Sequence, residues 1–213
     1  MFNIQMRCDE CSFKLDQQRI REIDAQRAAR KERHWKRICP PQYRATDPQD
    51  PRLDPICLAT TERWRIDEAN PKGIGLVGRT GLGKTRCLYL ALHRVFDEGY
   101  SVMAVSHAAH AEAATAAAGG ASEAIRQDEA RSLLKRCMAA DVLLLDDIGK
   151  PRMTPTRVEA MEVLIETRTS KDRPILWSAN SGSDWLIEYF GGDSGKAITR
   201  RLAEFSEIPV LPR

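Results

Sequence analysis

A chain of 213 residues holds one sizeable core and a small appendage, and is too short for two large domains. Its 33 Lys and Arg stand against 30 Asp and Glu, and the formal net charge of +3 permits an anionic partner without demanding one. Six scattered cysteines with one close pair, no secretory leader pattern, no lipidation motif and no apolar run near the ~20 residues that cross a bilayer argue against a disulfide scaffold and a membrane partner, so the expected compartment is the cytoplasm.

Cys8 and Cys11 form a C-x-x-C knuckle, half of a four-coordinate zinc site. His34 and Cys39 complete a Cys₃His set only if the segment between them and the knuckle folds back. That segment, Asp16 to Arg37, has no Gly or Pro and reads as a helix, so two free thiols are preferred over Zn²⁺ on Cys8 and Cys11. The helix is polar almost all round apart from Ile20, Ile23 and Trp35, which leaves little to anchor it to a core. From Arg19 to Arg37 eight basic residues stand against Glu22, Asp24 and Glu32, a pattern that suits nucleic acid or an acidic protein, or a solvated helix with i,i+4 charge pairs. Residues 1–40 are read as an N-terminal arm of Cys pair and basic helix, a candidate for partner binding. Pro40, Pro41, Pro48, Pro51 and Pro55 then crowd a stretch read as a linker or wrapping loop, and residues 41–70 as linker and pre-core segment, with a short helix from Thr60 to Ala69.

Residues 71–213 read as the core. Gly73 to Val77 has the composition of a short buried strand, and Gly78-Arg79-Thr80-Gly81-Leu82-Gly83-Lys84-Thr85 fits the pattern G-x-x-x-x-G-K-[ST] at every fixed position. Glycines let successive backbone N–H groups turn inward on a polyphosphate, at the positive end of the helix expected from Thr85 to Glu98. Lys84 is expected to reach the β- and γ-phosphates, and Thr85 to take one Mg²⁺ position. Tyr100 to Ser106 reads as a strand, Ala108 to Ala118 as an Ala-rich helix, and Ala124 to Ala139 as a helix capped by Ser122 with Ile125, Leu133, Leu134 and Met138 inward. Val142 to Leu145 is an apolar run closed by Asp146 and Asp147, as a buried parallel strand with a Mg²⁺ site at its carboxyl end requires. Asp146 is assigned to the Mg²⁺ shell, and Asp147 to orienting and deprotonating the attacking water.

Thr154-Pro155 opens a helix to about Thr169 with Val158, Met161, Leu164 and Ile165 inward. Pro174 to Asn180 is a further buried strand, whose terminal Asn180 either reaches the γ-phosphate and water or makes a turn. Lys196 to Phe205 reads as a helix exposing Arg200 and Arg201, before Ile208 to Leu211 closes the chain as a short strand.

This ordered set resembles the AAA+ ATPases of the DnaC/DnaI-like helicase-loader group and their relatives, the IstB transposition ATPases. The resemblance runs from about Ile38 to Leu211. It rests on Ile38 to Arg44 as the pre-core segment, on Gly78 to Thr85, on Leu143 to Gly149, where Asp-Asp precedes a hydrophobic residue and Gly, on Pro174 to Asn180 as the sensor-1 strand, and on Thr199-Arg200-Arg201-Leu202 as the arginine-finger motif. It implies an α/β phosphate-loop fold with a five-stranded parallel sheet flanked by helices, an N-terminal helical arm and little or no C-terminal lid. It also implies ATP and Mg²⁺ as cofactors, and a ring or filament in which Arg201 acts in trans, with Lys84, Asp147 and Asn180 completing the catalytic set. The family's second cysteine pair is absent. The activity implied is slow ATP hydrolysis controlling a replicative helicase on single-stranded DNA, with the helicase gripped by the arm. An IstB-like regulator on duplex DNA and a nucleotide-dependent adaptor with negligible hydrolysis are the alternatives.

Overall fold

The computed structural model describes residues 9–67, 69–119 and 124–211, with side chains from residue 17 onward. Ser122, the expected helix cap, lies outside the described residues. The chain divides into two compact units, Met1–Pro40 and Pro41–Arg213.

Among its described residues the first unit holds one continuous helix, α1 (Asp9–Ile38), about 45 Å long at 1.5 Å per residue. It begins about two turns earlier than the polar run predicts. Lys36 pairs with Glu32 at 2.6 Å and Gln18 donates to Glu22 at 3.0 Å, both one turn apart along the helix. Ile20 and Ile23 are exposed.

In the second unit the expected linker is ordered structure. Two of its prolines stand at helix starts, where a missing N–H costs nothing: Pro41 opens α2 (Pro41–Arg44) and Pro55 opens α3 (Pro55–Arg63). The Asp54 carboxylate caps α3 by accepting from the N–H groups of Ile56 and Cys57. This cap corrects the helix expected over residues 60–69. The helix ends at Arg63 because Trp64 is extended, with its indole N–H donated to the Lys72 carbonyl at 2.7 Å. Both α2 and α3 pack on α4 (Lys84–Asp97).

The core is a five-stranded, all-parallel sheet in the order β2-β3-β4-β1-β5, formed by β1 (Gly73–Val77), β2 (Val102–Ser106), β3 (Val142–Ile148), β4 (Ile175–Ala179) and β5 (Ser206–Glu207). Helices α5 (His107–Ala117), α6 (Ala124–Ala139), α7 (Pro155–Thr169), α8 (Ser183–Phe190) and α9 (Gly192–Glu204) complete it. Side chains alternate across a strand, so Leu143 and Leu145 join Ile175, Trp177 and Ala179 in one layer with Met161, Leu164 and Ile165 of α7, Leu186 of α8 and Ile198 of α9. On α4, which packs against β3 and β4, Leu88, Ala91, Leu92 and Val95 are fully buried. Gly75 leaves room for the Trp177 ring, whose indole N–H crosses β1 to Ser206 Oγ at 2.8 Å; a Cβ on Gly75 would stand 2.4 Å from that ring.

Further expectations are corrected. The last strand is Ser206–Glu207 rather than Ile208 to Leu211, since Pro209 has no N–H for a ladder and Val210 is 90% exposed. On α6 Leu133 and Met138 pack against the core as expected, but the buried positions are Gln127, Ala130 and Cys137, and Ile125 is 80% exposed. The helix read from Lys196 starts at Gly192, and α8 before it has no counterpart in the periodicity reading.

Candidate functional site

The strand order leaves β1 and β3 unpaired with each other, with β4 between them. The carboxyl ends of these three strands meet at one cavity of about 380 Å³. It is lined by Tyr43, Arg52 and Leu53, by Thr80 to Arg86, and by Asp147, Lys150 and Asn180.

The phosphate loop leaves β1 and turns into α4 through Gly81 and Gly83, at φ of 95° and 74°, where an L side chain is strained. A Cβ on Gly83 would also lie 2.6 Å from Leu53 Cδ2. Lys84 is buried, and its ammonium donates to the carbonyls of Gly78 at 2.6 Å and Arg79 at 2.8 Å and to Asn180 Oδ1 at 3.0 Å. Burial holds the Lys84 amine below its ordinary range.

Two consecutive strand residues normally face opposite sides of a sheet, yet Asp146 and Asp147 both serve this site. The ladder shows why. Leu145 pairs with Trp177 and Ile148 with Ala179, so Asp146 and Asp147 together oppose the single residue Ser178. This is a β-bulge, and Asp147 absorbs it at φ 58°. The Ser178 hydroxyl fastens it, donating to Asp146 Oδ1 at 2.6 Å and accepting the Asp147 N–H at 2.9 Å. Thr85 Oγ1 donates to the same Asp146 oxygen at 2.8 Å, which joins the phosphate loop to β3 across β4. Burial pushes the Asp146 carboxyl above its usual range, while the bonds from Ser178 and Thr85 pull the other way. Asp147 pairs with Lys150 at 2.6 Å, and that bond holds the Lys150 ammonium above the ordinary lysine range. Behind the turn, Gly149 donates its N–H to Nδ1 of buried His107 at 3.1 Å.

Also lining the cavity, the Tyr43 ring stacks on Tyr89 of α4 at 4.9 Å and 18°, with the Arg86 guanidinium 5.7 Å from its centroid. Arg86 also donates to the Gln42 carbonyl, which fixes α2 beside the loop.

The hydroxyl of Thr85 and the carboxylate of Asp146 are hard oxygen donors on adjoining elements. That donor set fits Mg²⁺, a cation held through one or two carboxylates with substrate oxygens and water. Zn²⁺ fares differently. Cys8 and the side chain of Cys11 lie outside the described residues, but the unbroken α1 separates positions 11 and 34 by about 35 Å, so the fold-back Cys₃His set cannot form within one copy. No cluster of three or more His, Cys, Asp or Glu suited to a metal occurs among the described residues.

The structure thus brings Lys84, Thr85, Asp146, Asp147 and Asn180 together with Gly78 to Gly83. It does not bring Arg201 to them. Arg201 on α9 lies 3.4 Å from Glu166 and adjoins Pro71, Arg173, Ile175 and Ser206, at the amino ends of β1 and β4, about 16 Å of strand from the loop. Arg200 is exposed and lies 3.8 Å from Glu204. Ser178, Lys150 and Tyr43 are site residues that sequence reasoning did not single out. For Ser178 the signal was a lone hydroxyl in a strand buried throughout, which needs a polar partner.

No family model matches the chain, and no curated protein sequence matches it. Solved structures do. The DnaC helicase loader is 15% identical with a TM-score of 0.61, covering 79% of this chain and 98% of that one. DnaI is 17% identical with a TM-score of 0.55, covering 72% and 76%. The replication initiator DnaA, bound to AMPPCP and single-stranded DNA, is 18% identical with a TM-score of 0.54, covering 74% of this chain and 45% of that one. The chain has the fold of these proteins, the phosphate-loop fold of AAA+ type that the motifs imply. No helix among the described residues is long and apolar enough to cross a membrane.

Proposed function

We propose that the chain is an ATP-binding and slowly ATP-hydrolysing module of the helicase-loader kind, whose nucleotide state controls a replicative helicase on single-stranded DNA. One observation carries the nucleotide reading: the phosphate loop, Lys84, the Thr85–Asp146 link, Asp147 and Asn180 converge from three strands on one cavity. In this reading the N–H groups of the loop and of the first turn of α4 face the polyphosphate, and Lys84 exchanges two loop carbonyls for phosphate oxygens. Thr85 and Asp146 are the residues that would hold Mg²⁺, which supplies neutralisation of charge on the β- and γ-phosphate oxygens. Asn180 orients the γ-phosphate, and Asp147 orients the water and accepts its proton. Tyr43, Arg52 and Leu53, which line the same cavity, would receive the nucleobase.

The placement of Arg201 a strand's length from its own loop supports a role at a neighbour's site, within a ring or filament. The likeness to DnaC and DnaI supports a helicase as partner, held through α1 and its basic surface, and the likeness to DnaA supports single-stranded DNA. The test is equilibrium binding of a fluorescent ATP analogue to the whole chain and to Lys84→Ala. Tight binding lost in a folded Lys84→Ala protein is expected; equal binding by both, or none by the parent, refutes the reading.

A further inference from the structure

Resting on that reading, we infer that Lys150 is a brake on Asp147: a positioning residue whose ammonium holds the carboxylate in an ion pair and keeps it from the attacking water. The pair joins Lys150 Nζ to Asp147 Oδ2 at 2.6 Å, inside the cavity that both residues line with Lys84 and Asn180. The backbone dictates the meeting. Asp147 at φ 58° is tied by its N–H to Ser178, and Gly149 at φ 109° is tied by its N–H to His107, so the turn between them is pinned on both sides. Its path returns residue 150 to the carboxylate of residue 147.

The two cavity lysines differ in kind. Lys84 is 7% exposed and engaged with Gly78, Arg79 and Asn180, whereas the Lys150 side chain is 61% exposed and is held by the pair rather than by packing. Proton transfer from water to Asp147 needs a carboxylate oxygen turned to the water. The ion pair occupies Oδ2 and fixes the direction in which the carboxylate faces, so the pair opens before the carboxylate turns to the water and takes its proton. Exposed ion pairs are weak, and the brake is correspondingly light: its removal speeds hydrolysis about two- to fivefold.

The experiment compares the whole chain with Lys150→Met and Lys150→Arg. At saturating ATP and Mg²⁺, Lys150→Met raises kcat by that factor with KM unchanged, and Lys150→Arg, which keeps the pair, stays at the parent rate. A kcat that does not rise, or a KM that climbs, shows that Lys150 does not restrain Asp147 and overturns the brake. A second measurement needs no nucleotide: acetylation of Lys150 by dilute acetic anhydride, followed by peptide mass spectrometry, runs faster in Asp147→Asn than in the parent chain. Equal rates mean that the pair does not exist. Binding of the fluorescent ATP analogue separates the two failures. If the parent binds it and Lys150→Met turns over no faster, the brake alone falls; if the parent binds none, the nucleotide reading falls and takes the brake with it.

Discussion

Replacing Ser178 by Ala removes one oxygen atom and tests how the two carboxylates are held. Ser178 is 1% exposed, and its hydroxyl serves both residues of the bulge, as donor to Asp146 and acceptor from the Asp147 N–H. A hydrogen bond to a charged group contributes about 1.5–3 kcal/mol, and a buried N–H left without an acceptor costs about 1–3 kcal/mol. One atom makes both bonds, so the two do not simply add, and a loss of about 2–4 kcal/mol is expected. Ala keeps the Cβ, so little of this is a packing effect. Urea unfolding followed by Trp fluorescence measures it as a lower midpoint at unchanged slope. Without the Ser178 bond the Asp146 carboxyl rises further above its usual range, and the carboxylate needed for Mg²⁺ forms only at higher pH; the pH dependence of Mg²⁺-supported turnover shifts accordingly. An Ala variant within about 0.5 kcal/mol of the parent, the size of an ordinary surface substitution, would refute this account of the bulge.

Burial pushes His107 down to about 3 and His110 to about 4, whereas unfolded imidazoles titrate near 6.5. In that window the unfolded chain binds more protons, so stability is full above the unfolded value and falls with pH, by about 2 kcal/mol per histidine from pH 6.5 to 5. Urea midpoints across that range check the slope, which is to shrink in His110→Leu; an unaltered slope counts against the assignment. Arg168 is fully buried, and its guanidinium donates to the carbonyls of Cys137, Ala140, Asp141 and Pro174, with burial holding it down to about 9. Arg168→Ala strands these acceptors and is expected to cost at least about 4 kcal/mol in thermal unfolding, and a loss below about 1 kcal/mol contradicts it. Mixing Lys84→Ala with Arg201→Ala, each inactive alone, restores part of the ATPase rate if Arg201 acts across a subunit boundary; no recovery at any ratio removes the finger from this model of the site.

What the sequence discloses follows the range of the interaction. The phosphate loop is readable because its chemistry lies in eight consecutive residues, and the apolar run ending at Asp146 and Asp147 because a strand buried on both faces has one simple signature. Ser178 was hidden, since its task arises only when a bulge in β3 sets two residues against one in β4. Lys150 was hidden because its return to Asp147 depends on a left-handed residue in the turn. The α6 face was legible only in part: Leu133 and Met138 pack on the core, but its buried side also holds Gln127, which donates to the Gly119 carbonyl, while Ile125 faces solvent despite its apolar spacing. At the end of the chain Val210 is apolar without being buried, and Pro209 outweighs the strand character around it.

The insertion of β4 between β1 and β3 bears on how the molecule is made. The chain runs through the phosphate loop and both carboxylates by residue 147, yet β2 and β3 can pair only with each other at that stage and β1 has no neighbour. The strand that joins them, residues 175–179, arrives last but one. During synthesis from the amino end the two halves of the sheet are therefore joined only once a loop of about a hundred residues closes between β1 and β4. Such distant pairing slows folding. It also makes the cleft a late product of maturation: a nascent chain halted before Ile175 carries every phosphate-loop residue and both carboxylates, and still lacks the strand that makes them one site.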